Sequence, residues 1–230
     1  MNQLREVVRR SVGLQRRPVA AELAPQLKLL RTWQTERLRQ THADLLVDPR
    51  FAPACRFFLS DIYAPRDFSQ RDQDILQIYH SIQRALPVHI GQTLSLVVEL
   101  NQLSNELDEA LLAILVNELG MVDTISEKQY VVAYRRCDNY AARRGQIDMI
   151  IQVGEGVNQL VHTPLVGFTL RLARMPARLA GWEELQDFLE RGYQAFAQMS
   201  DAKPFLRTLE EREKAILDNI FAGEPAPLAW

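Results

Sequence analysis

Residues 88–119, VHIGQTLSLVVELNQLSNELDEALLAILVNEL, form the longest uninterrupted helical pattern in the chain and decide its fold. Their apolar side chains recur at alternating steps of four and three, the spacing of a helix that packs against neighbouring helices. The positions in this series are Leu96, Leu100, Leu103, Leu107, Ala110 and Ile114. Gly120 follows as the expected helix end. The pattern predicts a long central helix that serves as the hub of a bundle.

A second stripe on the same helix is polar, although its neighbours are apolar. Asn101, Asn105 and Asp108 share one side of the predicted helix. If these side chains are buried, they need hydrogen-bond partners. They would then line a pocket between helices, or fix the helix register or a dimer contact. If they are exposed, the stripe has no special meaning.

The rest of the chain repeats the three- and four-residue apolar spacing of amphipathic helices, and strand signals are nearly absent. Three local details are expected: Ser126 caps a helix that begins at Glu127, Gly145 marks a kink or break, and Pro176 ends the helix that starts at Leu165. The fold class predicted from these patterns is all-α, a single-domain bundle of seven to nine helices around the long central helix.

The composition is that of an average soluble globular protein, with 47% hydrophobic and 24% charged residues and a net charge of −2. This balance gives no global attraction to nucleic acid or to a membrane. Three regions are predicted: a basic N-terminal arm at 1–18, the helical bundle at 19–222 and a Pro-rich tail at 223–230. The arm could lie on an anionic membrane, but a docking arm or a frayed terminus is the commoner role of such a segment.

The two cysteines, Cys55 and Cys137, lie in apolar helical patterns and are expected to be buried, reduced thiols. No apolar run approaches the length of about 18–20 residues that a membrane span needs. The N-terminal residues lack the apolar core and cleavage site of a secretion signal. These features predict a cytoplasmic protein.

Familiar catalytic and metal-binding motifs are missing from the chain. There is no Glu-x-x-His pair, no HExxH or CxxC, no Walker loop and no GxSxG elbow. The four histidines do not have a metal-ligand spacing. The sequence therefore indicates no catalytic residue, no metal site and no particular cofactor, and it leaves open whether the protein is an enzyme.

The best candidate for a ligand site is the aromatic and aspartate-rich segment 55–72, CRFFLSDIYAPRDFSQRD, which Pro65 interrupts. Its candidate site residues are Asp61, Tyr63, Asp67, Arg71 and Asp72. Asp61 and Asp67, if they converge, could hold a divalent cation through oxygen ligands or act as an acid–base pair. The favoured interpretation is structural: Asp67 or Ser69 caps the next helix while Arg71 pairs with Asp61.

A second candidate is cationic. Arg135, Arg136, Arg143 and Arg144 recur at a spacing of seven to eight residues, so that one face would carry them if their helix is continuous. Such a face, together with Arg171, Arg174 and Arg178, could bind a phosphate, an acidic partner helix or nucleic acid. Solvated faces, or pairing with the acidic C-terminal helices, are the commoner outcome.

The run FFLSDIYAPRDFSQRD resembles the signature FFL-x-D-x-Y-x-P-x-D-F-x-x-R-D of an uncharacterised bacterial protein family. The later segment LARMPARLAGWEELQDFLERGYQAF is similar to a second block shared by that family. The resemblance extends over residues 20–222 and implies an all-helical cytoplasmic protein of proteobacterial type. It implies no activity, substrate or cofactor, and no catalytic role is transferred to any residue.

The leading hypothesis is a non-enzymatic helical module that binds a protein partner, most simply another copy of itself, as a homodimer. Trp33 and Trp230 are expected to be exposed and to serve such contacts. The alternative is an enzyme or binding protein with a small-molecule or divalent-cation site at the Asp61–Asp72 corner. Nucleic-acid binding through the arginine face is a weaker third hypothesis, given the net charge.

Overall fold

The computed structural model describes residues 23–61 and 91–229 in full, and the backbone of residues 62 and 88–90. Within these ranges the chain is all-helical, which confirms the predicted fold class, and it contains no strand. The described residues form nine α-helices: α1 (Ala24–Thr41), α2 (Ala43–Val47), α3 (Ala52–Phe57), α4 (Val88–Asn117), α5 (Glu127–Arg136), α6 (Tyr140–Val161), α7 (Val166–Leu179), α8 (Glu183–Ala197) and α9 (Lys203–Ala222). A π-helical turn, Phe58–Ile62, continues α3.

Helix α4 is the hub that the sequence predicts, since α1, α5 and α6 all pack against it. Its buried face differs from the predicted series in the C-terminal half. Ala110 is exposed, whereas Leu107, Leu111 and Leu115 are at most 4% exposed. An α-helix has 3.6 residues per turn, so a strict alternation of three and four residues drifts around the helix, and steps of four bring the series back to the core.

In the described part of the chain, the interior contains two clusters of buried apolar side chains. The first joins α3 and the π-helical turn to α8 and α9, with Phe196 and Phe205 among its most buried members. The second joins α1, α4 and α5, and Tyr130 lies in it. Trp33 is half-buried there and stacks on Tyr130, with ring centroids 4.0 Å apart, so the expectation that Trp33 is exposed was wrong. Trp230 lies outside the described residues.

The expected local details have different outcomes. Ser126 caps α5 in a capping box with Gln129, as its position predicts. Gly145 does not interrupt α6, and the break falls at Asp138 instead, where φ is +48°. Pro176 lies inside the last turns of α7. Its missing N–H removes one backbone hydrogen bond, but the amides of Ala180 and Trp182 still donate to the carbonyls of Pro176 and Ala177 at 3.0 and 2.8 Å. Helix α7 therefore ends at Leu179 rather than at Pro176.

None of the helices in the described part of the chain is both long and apolar enough to cross a membrane. Within the predicted Pro-rich tail, Gly223 ends α9 with a φ of +82° and Pro227 is buried. The described part of the tail therefore folds back onto the bundle.

Candidate functional site

Asp61 is the member of the predicted corner that the structure describes, and it lies on the π-helical turn at 5% exposure. Its Oδ1 accepts hydrogen bonds from Nε and a terminal nitrogen of Arg191 at 3.0 and 2.7 Å. Its Oδ2 accepts one from the hydroxyl of Ser60 at 2.7 Å. The carboxylate therefore ties the turn to α8. The other predicted members, Tyr63, Asp67, Arg71 and Asp72, lie outside the described residues.

The described residues contain no group of three or more histidine, cysteine, aspartate or glutamate side chains that could hold a metal ion. Both cysteines are free; Cys55 is buried, but Cys137 is only half-buried. Burial, together with the charge of Asp44, raises the pKa of the Cys55 thiol to about 11. Cys55 is therefore protonated at neutral pH, which does not suit a nucleophile.

The four arginines of the predicted anion-binding face do not lie on one continuous helix, because the chain breaks at Asp138 between α5 and α6. Arg143 is only 4% exposed and donates a hydrogen bond to the carbonyl of Leu107 in α4 at 3.0 Å. Its guanidinium carbon lies 4.5 Å from the ring centroid of Tyr134, a cation–π contact. Arg143 thus links the hub helix to α5 and α6.

The remaining three arginines point to separate neighbours. Arg136 pairs with Glu118 at 2.9 Å and Arg144 lies 3.8 Å from Asp218 of α9, both at the surface. The guanidinium of Arg135 lies against Gly223, where α9 ends. A cation at this end is favourable for the helix dipole. In the described structure, these arginines therefore contact helix ends and carboxylates of the bundle rather than each other.

The polar stripe of α4 faces α1. Arg31 donates to Asn105 at 2.9 Å and to Asp108 at 3.2 Å, and Gln34 donates to the other oxygen of Asp108 at 3.2 Å. Of the predicted roles for the stripe, this geometry fits the fixing of helix register, because the pairs lock α1 against α4 at one position.

A buried ion network that the sequence analysis did not single out joins α1 to α9. One terminal nitrogen of Arg37 lies 2.6 Å from both carboxylate oxygens of Glu213. His42, which is 2% exposed, lies with its Nε2 3.1 Å from Glu213 as well. Next to this network, Arg212 forms a two-pronged pair with Asp44 at 2.6 and 2.8 Å.

Electrostatics in this network favour the charged carboxylate. Burial alone would raise the pKa of Glu213, but the charge of Arg37 and the hydrogen bonds from His42 and Arg37 outweigh it and lower that pKa to about 2. The sequence does carry a signal: Glu213 occupies an inward position in the apolar series Leu209, Ile216 and Ile220 of α9. An acid in such a series predicts a buried partner of opposite charge.

The most unusual surface of the described structure is an apolar stripe, which we call the outer stripe, along α7 and its N-cap residue Leu165, where φ is +71°. Its members recur at steps of three and four: Leu165, Phe168, Leu172, Met175 and Leu179. Their exposed fractions are 74%, 52%, 62%, 63% and 83%. Among the described residues, the other exposed large hydrophobic side chains, Val47, Val122 and Leu189, occur singly in sequence, and Leu189 is only 37% exposed. The outer stripe is therefore a contiguous apolar surface rather than scattered exposure.

The opposite face of α7 is also apolar and packs on α8. Val166, Leu170 and Ala173 are half-buried there, and Ala177 is buried. The side-chain amide of Gln186 in α8 donates to the carbonyl of Leu170 at 2.6 Å. Helix α7 thus has two apolar faces, of which α8 covers one.

The arginines between these faces pair with carboxylates of α8. Arg174 forms a two-pronged pair with Glu190, and Arg178 lies 2.5 Å from Glu183. The hydrogen bond from Arg174 and the nearby charge of Arg171 lower the pKa of Glu190. The charged side chains of α7 and α8 around the outer stripe therefore have a net charge close to zero.

Comparison with known proteins is consistent with the predicted resemblance at the level of a family. No curated protein and no solved structure matches the chain. A family described as a domain of unknown function, DUF8198, matches residues 14–227. The FFL-type signature and the bacterial origin stay predictions. Because the match covers nearly the whole sequence, the chain belongs to the DUF8198 family.

Proposed function

We propose that this chain is a non-enzymatic protein-binding module whose contact surface is the outer stripe of α7. The observation that carries the proposal is the exposure of 52–83% at five apolar positions with regular helical spacing. A surface of this kind costs free energy in water and is typical of helix-in-groove or helix–helix recognition.

The charges around the stripe favour a protein partner over an anionic lipid surface. A helix that lies on an anionic membrane needs cations that are free to meet the headgroups. Here Arg174 and Arg178 already pair with carboxylates. Glu184 and Asp187 add exposed negative charge on the adjoining helix α8. These acids would be repelled by anionic headgroups but are readily tolerated at the rim of a protein interface.

The alternative functions have less support from the geometry. The Asp61 carboxylate already has a cation, Arg191, as its neighbour, which favours a structural joint over a divalent-cation site. Arg143 is buried, and Arg136 and Arg144 lie beside carboxylates, which gives a weak surface for phosphates. Direct binding assays with divalent cations test the first alternative, and binding assays with DNA test the second.

Site-specific photo-crosslinking tests the proposal. A photoreactive phenylalanine analogue is placed at Leu172, in the centre of the stripe, and in a matched control at Val122, which is 72% exposed elsewhere. In the native cells, we expect the Leu172 position to form a defined protein adduct and the Val122 position to form none. The adduct should also disappear when Phe168→Asp is added, because an acid at that position would have to be desolvated in the interface.

Three results would contradict the proposal. The first is the absence of an adduct at Leu172, and the second is equal labelling at both positions. The third is flotation of the purified chain with anionic vesicles that Phe168→Asp abolishes, which would move the stripe to a membrane role.

A further inference from the structure

We infer that the partner of the outer stripe is a second copy of this chain, bound antiparallel, with Leu172 of each copy at the two-fold axis. This inference rests on the proposed function and adds the identity and geometry of the partner. It depends on the order of the apolar side chains along α7, on the local charge balance and on the area available.

The outer stripe is nearly its own mirror image along the helix. An antiparallel pair that places Leu172 opposite Leu172 also places Leu165 opposite Leu179, because each lies seven residues from the centre. Phe168 then faces Met175 to within one residue. Each contact in one half of the pair is therefore repeated with the two copies exchanged in the other half, which is the requirement of an isologous interface.

The charges of the hairpin permit this self-pairing. A helix with only arginines at its edges would repel its copy, and α7 contains no acid. However, Arg174 and Arg178 lie beside Glu190 and Glu183 of the same copy, and Arg171 acts on Glu190 as well. Each hairpin thus brings a nearly neutral rim to the interface, so two copies meet without a large like-charge penalty.

The charge of the N-terminal residues makes them a poorer occupant of the stripe. Residues 1–17 contain Arg5, Arg9, Arg10, Arg16 and Arg17 but a single acid, Glu6. Such a segment would add four net positive charges beside the three arginines of α7, against which Glu184 and Asp187 of α8 supply two exposed negative charges. A second copy brings its own compensating acids, so it fits the surface better.

The available area fits a weak dimer. The five side chains would bury on the order of 500 Å² on each copy, about 1,000 Å² in total, which is the lower limit of a specific interface. We therefore expect a dimer that dissociates in the micromolar range, with a population that rises with concentration.

Single-cysteine crosslinking tests the geometry. In a Cys137→Ala background, in which the remaining Cys55 is 3% exposed, cysteine is introduced as Leu172→Cys, Leu165→Cys or Leu179→Cys. Two Leu172→Cys copies should join under mild oxidation, because their Cβ atoms meet at the axis. Two Leu179→Cys copies should not join, because the positions lie about 21 Å apart at 1.5 Å per residue.

Mixing the two end variants completes the pattern. One of the two variants carries a tag, so that the mixed dimer can be identified. A mixture of Leu165→Cys and Leu179→Cys should crosslink, although neither variant does so alone. We expect the Leu172→Cys and mixed reactions to be at least about tenfold faster than the single end variants. Sedimentation should show Leu172→Asp as a monomer at concentrations where the parent chain is a dimer. In dilute solution, where both chains are monomers, the two melting temperatures should agree, because position 172 is exposed in the monomer.

Two outcomes overturn the inference. If Leu165→Cys and Leu179→Cys each crosslink alone as fast as Leu172→Cys, the pairing is not antiparallel about residue 172. If no variant crosslinks and the parent chain sediments as a monomer up to hundreds of micromolar, no second copy binds. In that case an adduct at Leu172 with a different protein in the native cells would still support the proposed function. If neither self-association nor an adduct were found, the proposed function would be wrong as well.

Discussion

Helices α7 and α9 have similar amphipathic sequences but opposite relations to the bundle. In α9 the apolar face is buried, with Phe205, Ile216 and Leu217 at 0–3% exposure. In α7 the only buried side chain is Ala177, while the outer stripe faces outward. Helix α9 packs against both α5 and α6, whereas α7 packs mainly against α8 at the edge of the bundle. The comparison shows that apolar periodicity tells which residues share a face, whereas burial of that face depends on the neighbours.

Truncation of one phenylalanine in α7 and one in α9 should give the largest difference in the free energy of unfolding. Phe205→Ala removes a side chain with 0% exposure from the first core cluster, and we expect a loss of about 3–5 kcal/mol in the free energy of unfolding. Phe168→Ala removes a side chain that is 52% exposed, and we expect a change within about 0.5 kcal/mol for the dilute chain. Urea denaturation at low concentration measures both. Equal losses would mean that the outer stripe is covered in solution.

Charge burial gives the second contrast. Glu213→Gln in α9 leaves the guanidinium of Arg37 without its carboxylate at a site where both side chains are less than one-fifth exposed, and we expect a loss of about 3 kcal/mol. The matched control is Glu183→Gln, which breaks the Arg178 pair at more than half exposure and should cost at most about 0.5 kcal/mol. A small loss at Glu213 in urea denaturation would show that the network is hydrated.

The same network predicts an acid-dependent stability. The pKa of Glu213 is about 2 in the folded chain, below its ordinary value of 4.5. Because the folded state holds this proton less tightly, the stabilisation is complete above about pH 4.5 and is lost as the pH falls towards 2. Unfolding free energies between pH 6 and 2.5 should therefore fall more steeply for the parent chain than for Glu213→Gln. Parallel curves would contradict this role for Glu213.

The sequence predicts the helices well because their signals are local. The capping box at Ser126 and the long pattern that centres on α4 are both present in the structure. The failures concern where a helix ends and which side of it is buried: α7 continues past Pro176 to Leu179, and the 3.6-residue turn places Leu111 instead of Ala110 in the core. Local signals fix which segments are helical but not how the ends and faces pack.

The site could be predicted only in part for the same reason. Asp61 was singled out by composition, but its partner Arg191 is 130 residues away in the chain. Leu172 belongs to a readable three- and four-residue series, yet the series does not tell which apolar face of α7 meets α8. That distinction depends on packing partners, which a single sequence does not specify.

The smallest expected effects come from glycine substitutions that compare how closely α6 packs on α9 and how closely α7 packs on α8. A Cβ at Gly154 would lie 2.5 Å from a methyl carbon of Leu206 in α9. This methyl would have to shift within the first core cluster, where Leu206 is 3% exposed, so Gly154→Ala should cost about 1–2 kcal/mol. A Cβ at Gly167 in α7 would lie 2.6 Å from the hydroxyl of Tyr193 and 2.7 and 2.9 Å from two of its ring carbons, so the whole ring would have to move. Because Tyr193 is half-buried, its ring can swing outward, and Gly167→Ala should cost less than half as much. Gly145→Ala is the control, because nothing lies within 4 Å of its Cβ position and alanine should stabilise α6 by up to about 1 kcal/mol. Thermal and urea unfolding give the order of the three variants. If Gly167→Ala proved the most damaging, α7 would be anchored as firmly as α9, and its outer stripe would be presented on a rigid rather than an adjustable edge.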